Sequence, residues 1–207
     1  RVGTEGFVKD INPDLIDFTI PPAGGPLQRG FDYSFILPAS LDMEPYCYLE
    51  NDTLTELPTA TTQGNDLETG YTGAFWRAGK MAPSFKFDQV LNIFTDKALS
   101  YLTDRENKQE PFFLYLPLAA PHTPWVPGDN YKGKSAAGQY GDFVQMVDDA
   151  IAKVLRAIDS LHLADNTIVI MASDNGPFWR PDFIERYGHR SAGEFRGMKA
   201  DIFEGGH

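Results

Sequence analysis

The chain has 207 residues and a formal net charge of -11, from 18 Lys and Arg against 29 Asp and Glu. Its apolar share of 42% and aromatic share of 13% predict a folded globular protein with one domain, or one and a fraction. The acidic balance argues against a nucleic-acid partner, because a phosphate backbone needs a basic face. The sequence also contains no apolar run near the roughly 18 residues of a membrane span.

The single cysteine and the two chain ends bound the interpretation further. Cys47 cannot form an internal disulfide, and no second Cys or clustered His completes a thiolate zinc site. The chain begins at Arg1 without a Met and stops in the glycine-rich segment 204–207. We expect a fragment of a longer protein, so the lack of a targeting segment says nothing about location.

The segment 1–85, called here the N-terminal insert, is rich in Pro and Gly and predicts loops with brief strands near 33–37 and 46–49. Regular structure is predicted after it. Helical spacing of apolar residues predicts helices over 88–104 and about 140–161, the second with a stripe that includes Val144 and Leu155. Runs that are apolar on both faces predict buried strands over 111–118 and 167–173.

A strand, a helix and a second strand joined by short links form a βαβ unit, which implies parallel strands. In open α/β sheets, ligands bind beyond the carboxyl ends of the strands. Segments 120–124 and 174–176 follow the two predicted strands and should therefore lie at the same sheet edge. The sequence thus predicts a functional site at that edge.

Two residues of that edge are candidate metal ligands. Asp174 and Asn175 offer adjacent oxygen ligands for Ca²⁺ or Mg²⁺, and Gly176 lets the backbone turn sharply after them. The alternative is that Asp-Asn-Gly is only a tight turn, since all three residue types favour turns. Two ligands are too few for Ca²⁺, which takes roughly six to eight oxygens, so others must come from elsewhere.

Three cationic side chains are candidates for anion contact. His122, in a loop stiffened by prolines, is a candidate general acid or anion-contacting imidazole, with a surface histidine as the alternative. Lys199 would bind an anionic group as a point charge if it lay near a metal, and would otherwise be a solvated lysine. Arg196 is a candidate partner for a carboxylate or for shaping the same site.

Taken in order, these segments resemble the sulfatase family, within the alkaline-phosphatase-like superfamily. The resemblance rests on motifs at 111–116 with 120–124, 165–169 with 173–176, and 196–199 with 203–207. It implies an α/β fold with a mixed, mostly parallel sheet sandwiched by helices and a loop-rich N-terminal insert. Residues 1–207 would then be part of a single catalytic domain, with 86–207 as its α/β core segment.

The resemblance also implies roles. Asp174 and Asn175 match the second pair of ligands to a divalent cation, usually Ca²⁺ with Mg²⁺ as the alternative. His122 matches the histidine that contacts sulfate and helps protonate the leaving oxygen, and Lys199 matches the lysine that holds a sulfate oxygen. The implied substrate is a sulfated small molecule or glycan, and the implied location is extracytoplasmic: secreted, periplasmic or lysosomal.

One departure from the family pattern concerns the nucleophile, a formylglycine made from Cys or Ser in a C/S-x-P-x-R motif. Cys47 lacks the Pro and Arg of that motif, so we interpret it as a buried or idle cysteine. We expect the motif and the first pair of metal ligands upstream of Arg1. The isolated chain is therefore predicted to be inactive.

Alternatives remain at the level of function. A phosphoric or phosphonic ester hydrolase on the same scaffold, a non-catalytic relative, and an unrelated α/β domain all stay open. The sequence does not choose between aryl sulfates, sulfated glycans and sulfated steroids. We hypothesise that specificity lies in the N-terminal insert, where Tyr46, Tyr71, Trp76 and Arg77 are candidates for contact with a sugar or an aromatic ring.

Overall fold

The computed structural model describes residues 16–66 and 72–207. Within these ranges the chain forms three α-helices and five short strands. The helices are α1 (Val90–Thr103), α2 (Gly138–Ser160) and α3 (Pro181–Tyr187). The strands are β1 (Phe35–Ile36), β2 (Leu49–Glu50), β3 (Thr53–Leu54), β4 (Ala60–Thr62) and β5 (Gly79–Met81). Short 3₁₀ turns cover Leu27–Arg29, Phe87–Gln89, Ala164–Asn166 and Glu204–Gly206.

The two long helices confirm the helical predictions and pack against each other. Leu91 of α1 shares a buried cluster with Phe143 and Met146 of α2, because their apolar stripes face one another. The predicted stripe of α2 is wrong at Val144 and Leu155, which are 37% and 41% exposed. Met146, which lies on the buried side, fills the contact instead.

The N-terminal insert is fastened to α1 by a second core. Its strands form two small antiparallel sheets, in the order β1-β2-β3 and β4-β5. The predicted brief strands are confirmed in shortened form, with Phe35 opposite Glu50 and Leu49 opposite Leu54. Behind them lies a cluster of buried side chains that includes two residues of α1, namely Leu41, Tyr46, Cys47, Ala82, Phe85, Val90 and Phe94.

The two runs predicted as buried parallel strands are neither buried nor paired in the part of the chain described. Residues 111–118 and 167–173 enter no strand ladder. Phe113 is 75% exposed, Ile168 90% and Ile170 85%. A central strand is buried by the strands and helices on its sides and faces, and the described residues place no strand beside either run. The prediction of burial and of parallel pairing is therefore wrong for this structure, although the apolar pattern is unmistakable.

The structure adds one helix that the sequence did not predict. Helix α3 begins with Pro181 at its first position and ends at Tyr187, and the following Gly188 has a φ of 63° that suits a left-handed C-cap. Phe183 of this helix enters the same core as α2. Among residues 16–66 and 72–207, no helix is both long and apolar enough to cross a membrane.

Candidate active site

The turn that carries Asp174 and Asn175 packs directly on the glycine turn near the chain end. The amide of Gly176 donates a hydrogen bond to the carbonyl of Gly206 at 3.2 Å. A Cβ atom at position 176 would collide with the carbonyl oxygen of Gly205, so only glycine allows this approach. Two segments about 30 residues apart in sequence thus meet backbone to backbone.

Lys199 lies in the loop that joins these turns. Its amide donates to the carbonyl of Pro177 at 2.9 Å, which holds the lysine backbone one residue beyond Gly176. The turn around it is closed by Asp201, whose amide donates to the Met198 carbonyl at 2.9 Å and whose carboxylate accepts from the Met198 amide at 2.9 Å. The structure therefore places the backbone of Lys199 beside the segment that follows Asp174 and Asn175.

Arg196 pairs with a carboxylate, as one of its two predicted roles required. Its Nη2 and Nε donate to the two carboxylate oxygens of Glu204 at 2.9 and 3.3 Å. Its guanidinium also lies 4.8 Å from the centre of the Phe203 ring. The hydrogen bond from Arg196 lowers the pKa of Glu204 below its ordinary value. The ends of the loop that contains Lys199 are thus joined by an ion pair.

His122 is exposed, and its ring is oriented by its own loop. Its Nδ1 lies 2.8 Å from the carbonyl oxygen of Thr123, and a carbonyl can only accept, so Nδ1 carries the proton in this bond. Nε2 is left as the ring atom that can exchange a proton. The loop is fixed by the Gly73 carbonyl, which accepts from the Thr123 hydroxyl at 3.0 Å and the Trp125 amide at 2.7 Å.

An aromatic cluster that sequence reasoning missed connects the His122 loop to the Asp174 segment. The ring centroids of Trp125 and Trp179 are 6.3 Å apart, and both side chains are buried. The Trp179 indole also donates to the His189 carbonyl at 2.8 Å. The signal was a tryptophan three residues beyond Gly176, beside Phe178 and shortly before Phe183. Through this cluster, the segment that follows His122 packs against the segment that follows Gly176.

Asp174 and Asn175 fit a hard divalent cation in their chemistry. The Asn175 Nδ2 donates to the Gly176 carbonyl at 2.9 Å, which leaves its Oδ1 as the free acceptor. The Asp174 carboxylate is exposed beside it. In the described ranges, no group of three or more His, Cys, Asp or Glu gathers in a way that could hold a metal. These two residues therefore offer part of a coordination shell that needs roughly six to eight oxygens for Ca²⁺.

The specificity residues hypothesised in the N-terminal insert have structural partners instead. Tyr46 is 1% exposed, and its hydroxyl donates to the Arg77 carbonyl at 2.7 Å. Arg77 is paired with the buried Asp42 at 2.6 Å. The Trp76 indole donates to a threonine hydroxyl and stacks on a phenylalanine ring. Tyr71 lies outside the described residues. The hypothesis is wrong for Tyr46, and the other two side chains are engaged in holding the insert together.

The family model described as Sulfatase matches residues 21–207. The chain belongs to the sulfatase family. It is 31% identical over 211 residues to an N-acetylgalactosamine-6-O-sulfatase of Bacteroides thetaiotaomicron, a match that covers 86% of this chain and 41% of the relative. It is 30% identical over 155 residues to the N-acetylgalactosamine-6-sulfatase of Mus musculus, covering 75% of this chain and 28% of that protein.

A solved structure described with the metabolism of multiple glycosaminoglycans by Bacteroides thetaiotaomicron has a similar fold. It superposes with a TM-score of 0.70 at 28% sequence identity, over 90% of this chain and 48% of the solved one. This likeness confirms the predicted fold class, α/β of the alkaline-phosphatase-like type. The sulfatase chain described here spans less than half the length of these relatives.

Proposed function

We propose that the protein containing this chain hydrolyses a sulfate ester, and that its substrate is a sulfated glycan. The observation that carries the proposal is the packing of the Asp174–Asn175 turn against the loop of Lys199, through the Gly176–Gly206 hydrogen bond of 3.2 Å. This packing brings the backbone of the Asp174–Asn175 turn against the loop that carries Lys199. The names of the relatives, which are N-acetylgalactosamine 6-sulfatases, support the substrate class.

Each of the four candidate site residues has a defined role in this proposal. Lys199 neutralises a sulfate oxygen as a point charge, and Asp174 with Asn175 helps hold Ca²⁺, with Mg²⁺ as the alternative. A bound divalent cation would supply positive charge against the sulfate and the nucleophile. His122 would donate a proton to the leaving oxygen from Nε2 in its imidazolium form, because its Nδ1–H is committed to the Thr123 carbonyl.

The nucleophile is proposed to lie outside residues 1–207. No C/S-x-P-x-R motif occurs in this sequence, and Cys47 is fully buried in the core. We therefore expect a formylglycine and the first pair of metal ligands elsewhere in the whole protein, and an extracytoplasmic location in keeping with the family resemblance. A recombinant 207-residue chain that hydrolyses an aryl sulfate above background would contradict this division of the site.

The second candidate is a phosphoric or phosphonic ester hydrolase on the same scaffold. The two functions are separated by assaying the purified whole protein, with Ca²⁺ present, on an aryl sulfate, on the matching aryl phosphate and on N-acetylgalactosamine 6-sulfate. We expect sulfate release that a chelator abolishes and added Ca²⁺ restores. Phosphate release that exceeds sulfate release would overturn the sulfatase proposal in favour of the rival.

Three variants sharpen this experiment. Lys199→Ala and Asp174→Ala should each lower kcat/KM by about 10²-fold or more, because each removes charge stabilisation of the transition state. Asp174→Ala should also raise the Ca²⁺ concentration needed for half-maximal activity. Lys153→Ala is the matched control, since Lys153 is exposed on α2. Equal activity of Lys199→Ala and the control would exclude Lys199 from the site.

A further inference from the structure

We infer that Arg196 is a positioning residue for Lys199, acting through its ion pair with Glu204. The inference rests on the proposed function, because it gives Lys199 a sulfate to hold. Arg196 and Glu204 begin and end the loop that carries Lys199. Their pairing therefore closes this loop at its base, and we call it the loop-closing ion pair.

The loop-closing ion pair fixes both the relative orientation and the separation of the two loop ends. A two-point contact between guanidinium and carboxylate is planar, so it restrains rotation as well as distance. Here the contact lengths are 2.9 and 3.3 Å, with the guanidinium lying against Phe203 at 4.8 Å. The backbone repeats the closure, because the Gly205 amide donates to the Arg196 carbonyl at 2.8 Å.

Inside the loop, Lys199 depends on this closure for its position. Its ammonium makes no hydrogen bond or ion pair with any residue of the described ranges. Its location is set by its backbone, whose amide is bonded to Pro177 at 2.9 Å. Gly197, two residues before Lys199, has a φ of 78°, and a Cβ there would lie 2.9 Å from the Asp201 side chain. The loop is tight, and opening its base would move the lysine.

The loop-closing ion pair is exposed to solvent. This exposure separates its role in positioning Lys199 from a general contribution to the free energy of unfolding. The side chains of Arg196 and Glu204 are 69% and 53% exposed. Solvent-exposed ion pairs contribute little to the free energy of unfolding. Removing the pair should therefore leave global stability nearly unchanged, so that any loss of activity reports on the position of Lys199.

The chain contains a matched control for the same interaction away from the loop. Arg180 donates to both carboxylate oxygens of Asp182 at 3.0 and 2.8 Å, and its guanidinium lies 4.6 Å from the Phe183 ring. This arrangement has the same chemistry at the start of α3, where it spans only two residues. Arg180→Ala removes an equivalent contact without opening the Lys199 loop.

The test uses the whole protein and compares Arg196→Ala, Arg196→Lys, Glu204→Ala, the double alanine variant and Arg180→Ala. Displacement of a catalytic group by about 1 Å can cost roughly 10²-fold in rate. We expect Arg196→Ala and Glu204→Ala each to lower kcat on an aryl sulfate by about 10- to 100-fold, with KM changed less and the melting temperature unchanged. The double variant should be no worse than either single variant, and Arg196→Lys should recover part of the loss.

A second measurement does not depend on turnover. The rate at which trypsin cleaves after Lys199 should rise in Arg196→Ala and Glu204→Ala, and not in Arg180→Ala. If the whole protein hydrolyses no sulfate ester, the proposed function fails. The trypsin cleavage rates would still decide whether the loop-closing ion pair holds the loop. Additive effects in the double variant, or kcat and cleavage rates equal to those of Arg180→Ala, would overturn the inference.

Discussion

The amide of Gly176 donates a hydrogen bond to the carbonyl of Gly206 at 3.2 Å, and this contact joins the two halves of the candidate site. No side chain takes part in it. The site depends on two turns that approach so closely that a single methyl group at position 176 would collide with the backbone of Gly205.

Replacing Gly176 by Ala should separate the two turns. The forced clash is with backbone, which has little freedom to yield, and such overpacking costs about 1–3 kcal/mol. We expect a loss of that size in the free energy of unfolding, measured by urea denaturation of the whole protein, together with loss of sulfate release. Gly25→Ala is the control, since its Cβ would make only ordinary contacts at 3.4 and 3.5 Å. Equal stability of the two variants would contradict the close approach.

Replacing His122 by Ala should lower kcat most for substrates with poor leaving groups. General acid catalysis contributes about 10²–10⁴-fold when the leaving oxygen needs a proton, and far less when the alcohol is already acidic. We expect a large fall in kcat on a sugar sulfate and a small one on 4-nitrophenyl sulfate, measured side by side. A loss of the same size on both substrates would show that His122 contacts the sulfate without donating a proton.

Replacing Asp142 by Ala should loosen the loop that precedes α2. The buried Asp142 carboxylate accepts hydrogen bonds from the amides of Gly133, Lys134 and Ser135 at 2.7, 3.0 and 2.7 Å. Hydrogen bonds to a charged group are worth about 1.5–3 kcal/mol, and the amides would be left without an acceptor. We expect destabilisation of at least that order by urea denaturation. Asp148→Ala, on the exposed side of the same helix, should change stability little.

The Cys47 thiol should contribute to stability in a pH-dependent way. Burial raises the pKa of Cys47 from 9.0 to about 12. Between these values the folded chain keeps a proton that the unfolded chain releases, so stability falls as pH rises through this window. Burial also raises the pKa of Tyr46 and Tyr48, which adds a fall of the same sign.

The cysteine variant isolates the thiol. Cys47→Ala should lose stability less steeply than the parent between about pH 9 and pH 12, measured as the unfolding free energy at a series of pH values. Both proteins keep the two tyrosines, so the difference in slope belongs to the thiol. Identical slopes, or reaction of native Cys47 with a thiol reagent at neutral pH, would contradict its burial.

Helices were predictable because an amphipathic helix needs only its own apolar stripe to be recognised. Both α1 and α2 follow from residue spacing, and their bounds lie close to the predicted ones. The strands predicted at 111–118 and 167–173 could not be decided from their own residue pattern in the same way. Their apolar pattern indicates what they need to pack against, but burial depends on neighbouring strands, and the described residues include none that pair with them.

For the candidate site, the sequence by itself determined which residue types are present. Asp174, Asn175, His122 and Lys199 are candidates by residue type, the family resemblance implies their roles, and the lack of a C/S-x-P-x-R motif is visible in the sequence. Which of their chain segments meet was decided only by tertiary structure, because it depends on backbone contact between glycine turns and on the packing of Trp125 against Trp179. Contacts between residues distant in sequence leave no periodic pattern, so no local reading of the chain contains them.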